Sequence, residues 1–152
     1  MDLTNLTIVT HHDAADPALT LLIETVRDRT GLDLQSRMAG RRPSSGPGGV
    51  RSGPTLHLSI ADPATEAAAA LEPQGAEGYR ISVADGDVEV CGSDVRGLLY
   101  GVGMLLRRLE LSPRSIALSE SLSIASTPAF ALRGHQLGYR PKTNAYRSEE
   151  HT

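Results

Sequence analysis

The sequence predicts an α/β (α+β) fold, a mixed β-sheet with two main helices packed on it. Three observations carry this expectation. A β-α-β pattern opens the chain between Leu6 and Met38, and such a crossover favours a parallel strand pair. Asp85-Gly86 lies between two alternating apolar runs, the signal of an antiparallel hairpin. An apolar stripe at helical spacing then runs from Val95 to Leu109, wide enough to cover a sheet face.

The elements follow in order. Leu6, Ile8 and Val9 predict a first strand, with His11-His12-Asp13 at its exit. Asp16 is the expected cap of the first helix, with Pro17 at the first helical position, where its missing N–H costs nothing. Leu19, Leu22, Ile23 and Val26 give that helix one apolar stripe, and Gly31 is placed to end it in a left-handed cap. Leu32, Leu34 and Met38 predict a second strand. Gly40 to Pro54 is a Gly/Pro/Ser/Arg loop without periodicity. Leu56, Leu58 and Ile60 predict a third strand, and Asp62-Pro63 starts a short Ala-rich helix through Leu71.

Tyr79, Ile81 and Val83, then Val88 and Val90, form the two arms of the hairpin. Ser93 or Asp94 caps the second main helix, whose apolar positions are Val95, Leu98, Leu99, Val102, Leu105, Leu106 and Leu109. Gly97, Gly101 and Gly103 lie inside it, each costing about 1 kcal/mol relative to Ala. Close approach of the helix backbone to the sheet is the expected compensation. Gly101-Val-Gly103 is no nucleotide loop, because it lies in mid-helix and Leu106 stands where a third glycine belongs. Ile116 with Leu118, and Leu122 with Ile124, predict one or two closing strands. Thr127-Pro128 then breaks the chain.

Composition narrows the function classes. The core is aliphatic, with one Phe, four Tyr and no Trp, so few aromatic faces are available to stack on sugar rings. The net charge is -3, and all but one of the 15 basic residues are scattered Arg, Lys142 being the exception. A nucleic-acid surface needs a clustered basic face, so no nucleic-acid partner is expected. Arg41-Arg42 reads as solvated loop charge. No segment has membrane-spanning length, and Met1-Asp2-Leu3 lacks a basic leader start. No membrane partner is expected, and the localisation as written is cytoplasmic by default. Cys91 is the single cysteine; at the end of an apolar strand it reads as a small buried hydrophobe.

The stretch from Glu77 to Leu106, which carries the hairpin, the Ser93-Asp94 pair and Gly97-Leu-Leu-Tyr-Gly101, resembles the small α/β domain that precedes the catalytic barrel in several glycoside hydrolases. These are the bacterial β-N-acetylhexosaminidases of family 20, the α-glucuronidases of family 67 and their relatives. Position and order match from about Leu6 to Ile124. The resemblance implies a domain of the zincin-like, hexosaminidase domain 2 type. That name describes shape, and the chain has no His-Glu-x-x-His motif to imply zinc. No cofactor or metal is expected.

Pro128, Phe130, Arg133 and Gly134 are similar to the Pro-x-Phe-x-x-Arg-Gly stretch that opens the first strand of a (β/α)₈ barrel in that family. The resemblance therefore implies an accessory domain over residues 1–126 and the start of a truncated catalytic barrel over 127–146. A lone barrel strand cannot satisfy its own backbone groups. The expected partner is the missing barrel of the same polypeptide, with a glycan substrate in the full-length parent. After Gly134 the pattern departs from family 20: Gly138 stands where Asp is typical, and the run to Arg140 is one residue short.

Arg133, His135 and Arg140 lie on that strand and are the candidate substrate-binding residues, because a planar Arg donates paired hydrogen bonds to hydroxyls or a carboxylate. The alternatives are packing of Arg133 at the barrel bottom and of His135 within the core. His11-His12-Asp13 is a poor joint metal site, since adjacent strand side chains point to opposite faces; a solvated loop is the preferred reading. His57 should face away from Leu56 and Leu58. Glycosidases need two carboxyl groups, or one with a substrate acetamido group, across the scissile bond. The family-20 Asp-Glu pair is not found here, and Glu149-Glu150 is adjacent in a polar tail. No catalytic residue is assigned, and the chain alone is expected to be non-catalytic. Arg147 to Thr152 is what the start of a widely used sequencing adapter would encode, so these residues are expected to be a non-biological tail. The alternative function is a free-standing α/β carbohydrate-binding or protein-interaction module.

Overall fold

The computed structural model of the chain describes residues 1–40, 53–61 and 75–130. The interior of the loop between Gly40 and Pro54, the Ala-rich helix begun at Asp62-Pro63 and the strand following Phe130 lie outside the described residues. Within them the chain forms β1 (Thr7–Thr10), α1 (Asp16–Thr30), β2 (Gln35–Met38), β3 (Thr55–Ile60), β4 (Tyr79–Ala84), β5 (Asp87–Gly92), α2 (Val95–Arg108), β6 (Glu110–Ser112), β7 (Ser115–Ala117) and β8 (Ser123–Ser126). Six strands make one sheet in the order β2-β1-β3-β5-β4-β8. β1 pairs in parallel with β2 and β3, and β3 with β5, while β4 runs antiparallel to both β5 and β8. The sheet is mixed, as the crossover and the hairpin together predict.

Strand alternation sorts the two faces. Ile8, Leu56 and Val88 stand in one register row, and Leu58, Val90 and Ile81 in the next. All six are buried and join one core with Leu22 and Val26 of α1 and Leu98, Val102 and Leu105 of α2. Both helices cover this face. The hairpin turn places Asp85 at φ 52° and Gly86 at φ 85°, the two successive positive values that a tight right-twisted hairpin requires.

Several local expectations need correction. Asp16 is not the cap of α1 but its first residue. Ala15 occupies the cap position without a side-chain bond, because a 3₁₀ turn at Asp13–Ala15 feeds directly into the helix. The cap function moves upstream to His12, whose Nδ1 accepts the Ala14 N–H at 3.0 Å. β2 begins at Gln35, after Leu34, and is an exposed edge strand. Val95 belongs to the exposed side of α2, at 40% exposure. Ile116 sits in a separate two-stranded ribbon, β6–β7, and only β8 closes the main sheet. The ribbon is held by the N-terminal segment, through Leu3 N–H to Ile116 O at 2.8 Å and Leu118 N–H to Met1 O at 2.9 Å.

The glycines of α2 divide. A Cβ on Gly97 would stand 2.1 Å from the Gly78 carbonyl oxygen, and one on Gly101 would stand 2.7 Å from Val90 Cγ1. Both are sites of close approach, as expected. Gly103 is not, because among the described residues nothing lies within 4 Å of its virtual Cβ.

Asp94 joins α2 to the loop before β4. One carboxylate oxygen accepts the Gly97 N–H and the other the Glu77 N–H, both at 2.7 Å. Replacing Asp94 by Ala strips the helix cap and leaves the Glu77 amide without this acceptor. We expect a stability loss of about 2 kcal/mol in chemical denaturation, with Asp94→Asn retaining part of it.

Candidate functional site

Two surfaces carry more than structural filling. The first is the sheet face that the helices leave open. Val9, His57, Glu89 and Ser82 are register partners across β1, β3, β5 and β4, and none shares the helix-covered core. Of these, His57, Glu89 and Ser82, with His11, Ser59 and Asp87, border a cleft of about 440 Å³. His57 turns away from Leu56 and Leu58, as the alternation predicts. His11 Nε2 and His57 Nδ1 lie 3.0 Å apart. The ring centroids are 5.3 Å apart with planes inclined at 34°, a spacing that only a nearly straight line through both nitrogens gives. Two imidazoles sharing one cation would instead aim at a common third point, about 2 Å from each nitrogen. Among the described residues no group of three or more His, Cys, Asp or Glu is placed to hold a metal.

His11 and His12 engage different partners, so they are not a joint site. The expected solvated loop is nonetheless an ordered junction: both residues are exposed, yet each is fixed by a hydrogen bond. Loss of solvation in the cleft, reinforced by the neighbouring His57, holds His11 below its ordinary value of 6.5, and Glu89 opposes the shift. Cys91 is half-buried on this same face, not in the core. Burial pushes its thiol above the ordinary range while a hydrogen bond with Ser59 opposes, so the reactive thiolate is disfavoured near neutrality.

The second surface is the outer side of the helix layer. Leu21 of α1 and Leu99, Tyr100, Gly103, Met104 and Arg107 of α2, with Tyr79 of β4, line a shallow groove of about 310 Å³. Leu21 is 37% and Tyr100 43% exposed. Their sequence signal is their position off the core stripe: each is a large apolar side chain next to, not on, the spacing that faces the sheet. Tyr79 also pairs in register with Ser126 at the end of β8, so the chain leaves the sheet beside this groove. The His11–His57 pairing had a weaker signal. The alternation of β3 sets the face of His57, but the sequence does not show which residue of another strand will meet it.

Arg133, His135 and Arg140, and likewise Arg41-Arg42 and Glu149-Glu150, lie outside the described residues. Among the described residues no helix is long and apolar enough to cross a membrane.

The sheet order, the hairpin leading through Asp94 into a glycine-bearing helix, and the two-helix layer define a small α/β domain of the kind associated with glycoside hydrolases. Residues 2–117 match the family model for glycosyl hydrolase family 20, domain 2, and the chain belongs to that family. Similar solved structures share the fold. They include a GH20 β-N-acetylhexosaminidase from Streptomyces coelicolor A3(2), at 22% identity and TM-score 0.55 over 84% of this chain and 23% of that one. A mutant Streptomyces plicatus β-hexosaminidase in complex with its product GlcNAc is 24% identical, TM-score 0.55, over 86% of this chain and 23% of that one. A GH138 enzyme targeting pectin rhamnogalacturonan II is 15% identical, TM-score 0.50, over 84% of this chain and 12% of that one. This chain thus spans less than a quarter of the length of each. No curated protein matches it.

Proposed function

We propose that the chain is the accessory domain of a longer glycoside hydrolase of the β-N-acetylhexosaminidase type. In this reading the domain is structural and non-catalytic, and a (β/α)₈ barrel encoded after it carries the chemistry. The observation that carries the reading beyond family membership is the helix-layer groove. Gly103 weakens α2 by about 1 kcal/mol relative to Ala, and no contact among the described residues accounts for it. A second surface closing on α2 does account for it. Tyr100 and Leu21 offer that surface apolar area, and the chain leaves β8 beside it, within reach of a domain that follows in sequence. The barrel-opening pattern Pro128-x-Phe130-x-x-Arg133-Gly134 supports the same reading, with Arg133, His135 and Arg140 as its substrate-side candidates.

The test is the genomic sequence through and beyond the codon for Tyr146, followed by expression of the whole frame. The expected result is a continuing frame with barrel strands and an Asp-Glu pair, with Arg147 to Thr152 replaced by other residues. The whole protein should hydrolyse a chromogenic N-acetyl-β-glucosaminide, and the 152-residue chain should not. Leu21→Asp with Tyr100→Asp should destabilise the short chain by about 1 to 2 kcal/mol, through lost apolar area and poorer helix propensity, and should destabilise the whole protein by clearly more. A genuine stop after Thr152 would overturn the reading in favour of a free-standing interaction module.

A further inference from the structure

We infer that the junction between β1 and α1 carries an acid-sensitive latch: beside the backbone bond from His11 N–H to Leu58 O at 2.9 Å, two side-chain hydrogen bonds each need a neutral imidazole acceptor and are released when that acceptor takes up a proton. The first bond joins strands distant in sequence: His11, just past β1, meets His57 of β3 head-on at 3.0 Å. Its straight geometry holds one proton between two nitrogens. One ring donates, and the other must keep a bare lone pair. The second bond is local. The Nδ1 of His12 accepts the Ala14 N–H at 3.0 Å and closes the 3₁₀ turn that starts α1. A proton on that nitrogen abolishes the acceptor. The two bonds are made by adjacent residues with different partners, so acid acts on both sides of the same peptide.

The surroundings set the sense of the response. The open face presents Glu89 and Asp87 of β5, Arg80 of β4, Arg37 of β2 and the Cys91 thiol, while Asp13 follows His12 in the turn. Glu89 favours the charged form of His11, but desolvation in the cleft and the facing His57 outweigh it. The folded chain therefore binds the His11 proton less readily than the unfolded chain does. This contribution to stability is complete above the unfolded imidazole value of about 6.5, and it is lost as the pH falls from there through the lower folded value. Loss of the latch does not touch the core row of Leu56, Val88 and Ile8, so the response is confined to the junction first.

The experiment is nitrogen-15 NMR of the full 152-residue chain. Near pH 7.5 a through-hydrogen-bond coupling should connect a ring nitrogen of His11 with one of His57. Acidification to about pH 5 should remove the coupling, and amide protection at Ala14 and Ala15, corrected for intrinsic rate, should fall about tenfold while that of Leu58 and Val90 holds. His57→Gln with His12→Asn supplies partners that do not titrate in this range, and should flatten the response. Acid-independent protection in the natural chain would overturn the latch. So would an unchanged acid response in the folded double variant, which would show that neither the His11–His57 bond nor the His12 bond carries it. Stoichiometric zinc binding that removes the coupling at neutral pH would also overturn it, by making the pair a ligand set.

Discussion

Gly97→Ala should be among the most damaging single-methyl changes in this domain, with Gly92→Ala beside it, lowering stability by about 3 kcal/mol or more. The added carbon would lie 2.1 Å from the Gly78 carbonyl oxygen, 3.0 Å from its carbon and 3.1 Å from the Glu77 carbonyl carbon. All three are backbone atoms and cannot rotate away. The only relief is to lift the first turn of α2 off the loop before β4. That would also pull Asp94 from the Glu77 N–H and Arg96 from the Glu77 carboxylate, now 2.8 Å apart. Gly103→Ala, six residues further along the same helix, meets nothing among the described residues and should stabilise the short chain by up to about 1 kcal/mol. Urea midpoints of the two variants separate the readings. A neutral Gly97→Ala would show that α2 does not rest on Gly78.

Leu58→Ala should cost about 3 to 4 kcal/mol. Leu58 is fully buried in β3, between Thr10 of β1 and Val90 of β5 in register. Flanking strands and the helix layer fix its surroundings, so the space left by the lost carbons cannot collapse cheaply. Calorimetry of the chain should show a drop in melting temperature of about ten degrees, with a single transition. A drop of only a few degrees would mean that the sheet centre repacks, and that the core is looser than its burial implies.

The elements most legible in the sequence are those whose cause is local. The hairpin is one: Asp85-Gly86 favours positive φ at both positions, and the alternation on either side leaves one register that buries Ile81, Val83, Val88 and Val90 together. The end of α1 is another, since Gly31 at φ 71° gives its N–H to Arg27 O at 2.8 Å. The start of α1 was less legible. Asp-Pro is a sound capping signal, but a 3₁₀ turn capped by His12 runs straight into the helix, and with its N–H bonded to Asp13 O, Asp16 is already the first helical residue. The ribbon of β6 and β7 was hidden for a similar reason. Its position depends on Met1 and Leu3, more than a hundred residues away in sequence, and on Arg114 N–H reaching Thr30 O at 2.8 Å.

The sequence by itself determined the fold class, the faces of the strands and the membership signalled by the hairpin-helix block, because period-two and period-3.6 patterns dictate which side chains leave water together. Only the tertiary structure decided that Gly97 and Gly101 are contacts while Gly103 is open, that Cys91 faces outward from the core, and that His11 meets His57. Each of these depends on how far one element is shifted along another. Distances of that kind follow from the packing of the whole core, and no short stretch of residues encodes them.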